Sequence, residues 1–329
     1  MSEIHPRPEA QVPPLVRTGR FLKDNPVIPL IGFLVLLMGI LEVMRPGIIS
    51  PFWAGNLIKF AIPLAMLAAA QVLTMLTGGI DLSVGIVATL AAFVTATLTP
   101  LIGPAPAMLV ALGAGAVVGL VNGFGVGVAR VHPLIMTLGT GLIATGCLQV
   151  YQRFFIATGT DIPAVLEWLG TGRTAGLPNG LFLFVPFAVF VLWLMRFTGF
   201  GRLLFALGSN EKAAKLSGVR AWQVHIALYI LSALIAALTG LLYLGMIRAP
   251  SLSLAVPLML PSVAAAVIGG TSIFGGRGSF AGAIVGALIL RVIDTMLTLA
   301  RMPEGARIAM FGLIILLVTA LYVRFTETR

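Results

Sequence analysis

Long apolar runs alternate with short polar segments along the chain from residue 27 onward. Each run is close to the ~20 residues with which a helix crosses the hydrocarbon core of a bilayer. The runs are too long and too continuous for the alternating strands of a membrane barrel. The pattern therefore predicts an all-α, polytopic bundle of ten membrane helices, at 27–44, 57–76, 82–99, 106–128, 134–152, 180–196, 223–246, 258–274, 279–298 and 307–323.

Two glycine-rich segments interrupt this pattern: L-T-G-G-I-D-L-S-V-G at 76–85 and I-G-G-T-S-I-F-G-G-R-G-S-F-A-G at 268–282. Non-helical backbone at membrane depth is tolerated only where it is buried in protein or lines a water-filled cavity. Paired interruptions in the two halves of a transporter mark its binding site. We expect both breaks to border a transport path, and ordinary tight loops are the alternative. The residues assigned to them are Gly78, Gly79, Asp81, Ser83, Gly85, Gly269, Gly270, Thr271, Ser272, Gly275, Gly276 and Gly278.

Asp81 is the charged residue of the first break. A carboxylate at membrane depth is costly unless it is capped, paired or facing water. We expect Asp81 to be the N-cap of the following helix, where its side chain would accept hydrogen bonds from free backbone N–H groups.

Neutral polar side chains recur at helical spacing near this break. They predict either a polar path for a hydroxylated solute or hydrogen bonds between helices, and the pattern does not separate the two. The residues are Gln71 and Thr74 on the second span, Asn122 on the fourth, and Thr137 and Thr140 on the fifth.

Two spans carry glycines at intervals of four residues, which lets a neighbouring helix backbone approach closely. We expect these two ridges to serve helix packing, and Arg291 and Asp294 on the ninth span to form an ion pair. The ridge residues are Gly115, Gly119, Gly123 and Gly127 on the fourth span, and Gly278, Gly282 and Gly286 on the ninth.

Composition and charge agree with a membrane protein: 59% of residues are hydrophobic, 10% are charged, and the mean hydropathy is +1.06. With the N-terminus inside, 13 Lys and Arg lie in inner segments and 7 in outer ones, which favours cytoplasmic termini. The net charge of +10 is spread over helix ends, so it does not indicate nucleic-acid binding. The expected parts are a cytoplasmic tail at 1–26, a transmembrane domain at 27–323 and a cytoplasmic tail at 324–329.

The inner segment 197–222 contains a candidate docking helix. Asn210 is predicted to cap a short helix that ends at Gly218. A short helix with small residues on a cytoplasmic loop can insert into a groove on another protein. Its exposed residues are expected to be Glu211, Lys212 and Lys215, and its buried ones Ala213, Ala214 and Leu216.

No sequence pattern for an enzyme or a nucleotide site is present. None of the four lysines follows a glycine, so the chain has no phosphate-binding G-K-[ST] loop, and it has no H-E-x-x-H or G-x-S-x-G sequence. We therefore predict no catalytic residues, no metal site and no cofactor on this chain. Acidic residues are also too few for a proton relay, which disfavours an ion-driven carrier.

The segment 78–85, G-G-I-D-L-S-V-G, resembles the signature of the ribose-type family of bacterial ABC importer permeases. The resemblance continues through Asn122-Gly123, the P-L-I-M-T-L-G-T run at 133–140, and segments 208–218 and 268–282, and so covers most of the chain from about residue 50. The inner loop resembles the E-A-A-x-x-x-G coupling motif of these importers. Ala213, Ala214 and Gly218 match that motif, whereas Lys212 is inserted after Glu211.

This resemblance implies a permease dimer in the bacterial inner membrane that moves a monosaccharide inward by alternating access. It also implies two partners, a cytoplasmic ATPase that binds ATP and magnesium, and a periplasmic sugar-binding protein. One alternative is a permease of the same superfamily for branched-chain amino acids or nucleosides. The other is a secondary carrier that works without an ATPase.

Overall fold

The computed structural model describes residues 27–155, 159–303, 305–310, 312–313 and 316. Its described part is a helical bundle with one two-residue hairpin, which joins Arg173–Thr174 (β1) to Leu177–Pro178 (β2). The helices are α1 Val27–Met44, α2 Pro51–Leu76, α3 Val84–Ile102, α4 Pro104–Gly127, α5 Pro133–Phe155, α6 Ala164–Thr171, α7 Gly180–Phe197, α8 Gly199–Ser209, α9 Glu211–Leu216, α10 Ala221–Ile247, α11 Met259–Ile268 and α12 Phe280–Leu299. The predicted all-α membrane fold is confirmed.

Within the described residues, eight helices are long and apolar enough to cross a bilayer: α1 to α5, α7, α10 and α12. The eighth predicted span, 258–274, is wrong in length. A single 3₁₀ turn at Val256–Leu258 leads into α11, which ends at Ile268 and is followed by its C-cap Gly269 and by Gly270, whose φ is 89°. The tenth predicted span, 307–323, lies largely outside the described residues.

Prolines and a serine set several helix starts. Pro51, Pro104 and Pro133 each occupy the beginning of a helix, where a missing N–H removes no helical hydrogen bond. Ser50 caps α2 by accepting from the backbone N–H of Trp53 at 3.2 Å. The second span therefore begins six residues earlier than the hydrophobic run predicted.

Helix α10 lies at the centre of the bundle, against α2, α3, α4 and α6. The glycine ridge of α4 makes its closest approach here. A Cβ on Gly119 would lie 2.5 Å from the carbonyl oxygen of Tyr229, and one on Gly123 would lie 2.6 Å from the Cα of Ile226. The predicted packing role of this ridge is confirmed.

The second ridge, on α12, packs against α11 in the same manner. A Cβ on Gly282 would collide with the carbonyl oxygen of Gly269, and one on Gly286 with that of Ala265. The predicted ion pair further along α12 is also present, with Arg291 Nη1 3.7 Å from Asp294 Oδ2. Both findings confirm predictions made from residue spacing alone.

Candidate functional site

The two glycine-rich breaks meet in the structure. The N–H of Gly276 in the second break donates to the carbonyl of Leu76, at the start of the first break, at 2.9 Å. Gly78 and Gly275 both have positive φ angles, 77° and 91°, which side chains disfavour. The breaks therefore contact each other directly, although they are almost two hundred residues apart in sequence.

The inner segment 197–222 joins them, a contact that its sequence did not predict. Gly208, near the end of α8, lies so close to Leu76 and Gly276 that a Cβ there would collide with the Leu76 carbonyl oxygen. We call Leu76, Gly78, Gly208, Gly275 and Gly276 the glycine junction. This junction attaches the 197–222 segment to both breaks at once.

Asp81 is completely buried in the first break and is held by neutral donors. Its Oδ1 accepts from the Ser83 backbone N–H at 2.9 Å and from the Ser83 hydroxyl at 2.6 Å. Its Oδ2 accepts from the hydroxyl of Ser232 on α10 at 2.7 Å. Both carboxyl oxygens are therefore bonded, and the bond to Ser232 fixes the break against α10.

The prediction that Asp81 is the helix N-cap is wrong in detail. Helix α3 begins at Val84 and its N-cap is Ser83, whose side chain makes no capping hydrogen bond. Asp81 lies two residues further upstream because the turn at Leu82 and Ser83 separates it from the helix. It bonds the N–H of Ser83 within that turn, and its second oxygen reaches another helix.

Gln71 clamps the backbone of Asp81. Its Nε2 donates to the Asp81 carbonyl at 2.8 Å, and its Oε1 accepts from the Asp81 N–H at 3.3 Å. Thr74, on the same face of α2, instead donates to the carbonyls of Ala70 and Gln71 within its own helix. Gln71 is therefore the α2 side chain that bonds the break.

Polar side chains of α4 and α5 complete the network around the first break. Asn122 donates to the Ser83 hydroxyl at 2.9 Å and accepts from Thr140 at 2.5 Å. Thr137 accepts from the backbone N–H of Leu82 at 3.0 Å. The side chains of Gln71, Asn122, Thr137 and Thr140, from three different spans, thus bond to one another or to the break, whereas the Thr74 hydroxyl bonds within its own helix, and the contact of all five with a solute stays a prediction.

Backbone contacts dominate the second break. The N–H of Ser272 donates to the Arg277 carbonyl at 2.9 Å, and the Ser272 hydroxyl accepts from the Phe274 N–H at 3.1 Å. Thr271 is buried and its hydroxyl has no partner among the described residues. A Cβ on Gly278 would lie 3.0 Å from a methyl of Thr271, so the loop is folded tightly on itself.

Gly85, in the first turn of α3, packs against the segment that precedes the second break. A Cβ on this residue would lie 3.1 Å from the Cβ of Met259 and 3.2 Å from the Cα of Val256. Close by, the hydroxyl of Thr89 accepts from the N–H of Ala255 at 3.0 Å. The start of α3 therefore packs against the entry to α11.

Sequence reasoning missed two residues of α10 that face the first break. Ser232 binds Asp81, and Tyr229 places its hydroxyl beside Gly79, where an added Cβ would lie 2.7 Å from it. Both lie inside a continuous apolar run. Their spacing of three residues, which places them on one helix face, was the available signal.

The candidate docking helix forms as predicted at 211–216. The Asn210 side chain accepts from the Ala213 N–H at 3.0 Å, and Gly218 follows the helix with a φ of 88°. Ala214 is buried, but Leu216 is 91% exposed and Ala213 is exposed as well, so the prediction that these two are buried is wrong. A six-residue helix can turn only one narrow face inward, and Ala214 occupies it.

Two charged residues of α9 pair with each other. Glu211 and Lys215 form an ion pair at 2.6 Å, one helical turn apart. The hydrogen bond from Lys215 is the main reason that the pKa of Glu211 lies below its ordinary value of 4.5. Both side chains are about half exposed, so the stabilisation from this pair is small.

The described residues contain no group of three or more His, Cys, Asp or Glu side chains that could hold a metal ion. The site consists instead of helix breaks, glycine contacts and neutral hydrogen bonds around one carboxylate. These features can hold, or release, two discontinuous membrane segments relative to the helices around them.

Comparison with known proteins agrees with this architecture. Residues 54–319 match the family model of the branched-chain amino acid transport system permease component. The chain is 32% identical over 318 residues to a fructose import permease protein of Rhizobium meliloti, with 93% of this chain and 88% of that protein covered. It is 31% identical over 287 residues to a ribose import permease protein of Escherichia coli, with 86% and 89% covered.

A galactofuranose transporter permease protein of Escherichia coli is 34% identical over 250 residues, with 75% of this chain and 73% of that protein covered. No solved structure matches. Because the family model spans most of the chain and the relatives align over most of their own length, this chain belongs to the transport-system permease family, as a multi-pass membrane component.

Proposed function

We propose that this chain is the membrane subunit of an ATP-driven importer that moves a monosaccharide into the bacterial cytoplasm. The relatives supply the substrate class, since three of them carry fructose, ribose and galactofuranose in their names. The described network around the first break supports it, because Asp81 is its one buried charged residue among neutral hydroxyl and amide groups.

The branched-chain amino acid in the name of the family model supports a different substrate. A zwitterionic solute would need fixed charges or helix termini directed at its two charged groups. The Asp81 carboxylate is already engaged by Ser83 and Ser232. Sugar permeases among the relatives, and a network whose one acidic side chain is already engaged, both favour the monosaccharide.

Coupling to an ATPase is supported by one observation above all: α9 is exposed and is joined through α8 to the glycine junction. Leu216 projects into solvent at α9, while Gly208 of the neighbouring helix contacts both breaks. A partner that pushes on α9 would therefore move the junction through two short helices. ATP and magnesium would bind to that partner, which is a separate chain.

The position of α9 as the contact for the ATPase also sets the orientation of the chain in the membrane. The end of the bundle that carries α8 and α9 faces the cytoplasm, in the inner membrane, with both chain termini on the same side. The opposite end, with α6 and the β1–β2 hairpin, faces a periplasmic sugar-binding protein. Two copies of the permease form the path, which alternates between outward and inward access.

Co-purification tests the proposal. The chain is expressed with the products of its neighbouring genes, and we expect an ABC-type ATPase to be retained on it. Isothermal titration of the neighbouring binding protein against a panel of sugars and branched-chain amino acids then identifies the substrate. Binding of amino acids alone would overturn the sugar assignment, and solute movement in proteoliposomes without any ATPase would overturn ATP coupling.

A further inference from the structure

A basic pocket lies beside the docking helix, at the end of the bundle that the proposed function places in the cytoplasm. It has a volume of about 240 Å³ and lies between the last turn of α4, helix α9 and the first turn of α10. Its charged lining residues are Arg130, Glu211, Lys215 and Arg220, with His225 beside them. Three cations against one carboxylate give this pocket a net charge of +2.

Neither arginine side chain makes a hydrogen bond or a salt bridge in the described part of the chain, although the charge of Arg130 helps to lower the pKa of Glu211. Lys215 is paired with Glu211, but no hydrogen bond or ion pair occupies the guanidinium group of Arg130 or Arg220. The Nδ1 atom of His225 is buried and also lacks a hydrogen-bond partner. Planar guanidinium groups bind phosphate oxygens in a bidentate geometry, so the pocket has donors suited to a phosphate group.

An apolar groove lies on the other side of the same α4 terminus. It has a volume of about 540 Å³ and an entirely apolar lining that includes Val121, Phe124, Ala129 and Met136. The pocket and the groove are adjacent along the chain. Arg130 lines the pocket, and the next residue, Val131, lines the groove. A ligand that fits both must have an anionic head and a hydrocarbon tail.

We propose that the pocket and the groove together bind an anionic phospholipid of the cytoplasmic leaflet, with its phosphate at Arg130 and Arg220 and an acyl chain in the groove. Basic pockets between membrane helices on the cytoplasmic side bind such headgroups. Trp222 also lines the pocket and is 46% exposed, and tryptophan is enriched at this depth of the membrane.

The bound lipid would act on the docking helix directly. Glu211 and Lys215 belong both to α9 and to the wall of the pocket. A phosphate in the pocket attracts Lys215 and repels Glu211, and so competes with the ion pair between them. Occupancy therefore adjusts the position of α9 that an ATPase partner meets.

Lipid titration of the purified full-length chain tests the proposal. The delipidated protein in detergent is titrated with phosphatidylglycerol, phosphatidylcholine or inorganic phosphate, and bound ligand is counted by native mass spectrometry. We expect phosphatidylglycerol to bind at least roughly tenfold more tightly than phosphatidylcholine. The double variant Arg130→Gln/Arg220→Gln should lose that preference, at about a several-fold cost per arginine.

Arg202→Gln is the matched control, because Arg202 is an exposed arginine of α8 outside the pocket. It should keep the preference for phosphatidylglycerol, whereas the double variant Arg130→Lys/Arg220→Lys, which keeps the charge and loses the bidentate geometry, should keep only part of it. Equal binding of the two lipids by the wild type would overturn the proposal, as would an unchanged preference in the glutamine double variant. Inorganic phosphate that binds as tightly as the lipid would overturn the assignment to a lipid.

This experiment separates the lipid site from the proposed function. It measures binding to the permease alone, with no sugar, ATPase or binding protein present. Failure to bind lipid would leave sugar import intact, and failure of sugar import would leave the lipid titration unchanged.

Discussion

The two glycine-rich breaks meet at one junction, yet they are held in different ways. Polar side chains hold the first: Gln71 clamps its backbone, and Asp81 binds Ser83 and Ser232. Backbone contacts hold the second, where Gly269 lies against Gly282. Substitutions that remove a polar side chain should therefore destabilise the first break. Substitutions that add a side chain to a glycine should destabilise the second break and the glycine junction.

The largest effect is expected from an added methyl group at the junction. Gly208→Ala places a Cβ against the carbonyl oxygen of Leu76, where the backbone must move to make room. We expect a loss of about 3 kcal/mol in stability, measured as a lower thermal midpoint and a lower monodisperse yield in detergent. Gly199→Ala, in the same helix with only Arg202 near at 3.9 Å, should change little, and equal midpoints for the two variants would contradict the close contact.

Removal of the Asp81 carboxylate should have the next largest effect. Asp81→Ala leaves the Ser83 N–H and the Ser232 hydroxyl buried without an acceptor, at about 2–3 kcal/mol in total. Asp161→Ala is the control, because the exposed Asp161 carboxylate accepts only from the N–H of its neighbour Ile162, and the bond from the Asp161 backbone N–H to the Ala96 carbonyl is kept in the variant. Thermal unfolding measures both, and a loss of uptake with unchanged stability would instead give Asp81 a role in the path.

A smaller effect, on partner binding alone, is expected at the docking helix. Leu216→Ala removes an apolar side chain that is 91% exposed and should weaken ATPase binding by roughly tenfold, or about 1–2 kcal/mol, with unchanged thermal stability. Leu177→Ala, at the opposite end of the bundle, is the control. Co-purification of the ATPase measures both, and equal retention would remove Leu216 from the interface.

The smallest effect concerns the ion pair in α9. The pKa of Glu211 is lowered by Lys215 in the folded protein, so its stabilisation is present above its ordinary pKa of 4.5 and is lost as the pH falls through the folded value. For a pair this exposed we expect about 0.3–0.5 kcal/mol. The difference in unfolding midpoint between wild type and Glu211→Gln should shrink from pH 7 to pH 4, and a constant difference would contradict this.

Sequence alone predicted the helical class, most spans and the packing of both glycine ridges, because hydrophobic period and four-residue spacing are local properties. It also singled out Asp81, Gln71, Asn122 and Thr140, but left open whether the last three line a path or bond to other helices. The sequence could not show which of these residues bond to each other, because each partner lies on another helix. Ser232 was missed for that reason: a single hydroxyl inside an apolar helix carries no local sign of the carboxylate it binds.

The same limit explains the errors at the helix ends. The predicted span 258–274 overlaps the glycine-rich break at 268–282, and hydropathy alone did not fix Gly269 as the residue that caps the helix. Leu216 was expected to be buried because it is apolar, yet α9 is too short to cover it. Gly208 lies in the segment predicted to contain the docking helix, but its contact with Leu76 depends on the tertiary fold and has no local sequence signal.

Sugar uptake by Gly218→Trp tests the central claim most directly, since Gly218 is exposed, has a positive φ and follows the docking helix. Proteoliposomes would contain the permease, the neighbouring ATPase and the sugar-loaded binding protein, and Gly47→Trp would be the control, at an exposed glycine with a positive φ in the α1–α2 connection. We predict ATP-dependent uptake by the wild type and by Gly47→Trp, and none by Gly218→Trp at equal membrane content. Wild-type uptake by Gly218→Trp, or uptake without ATP, would contradict coupling through this helix.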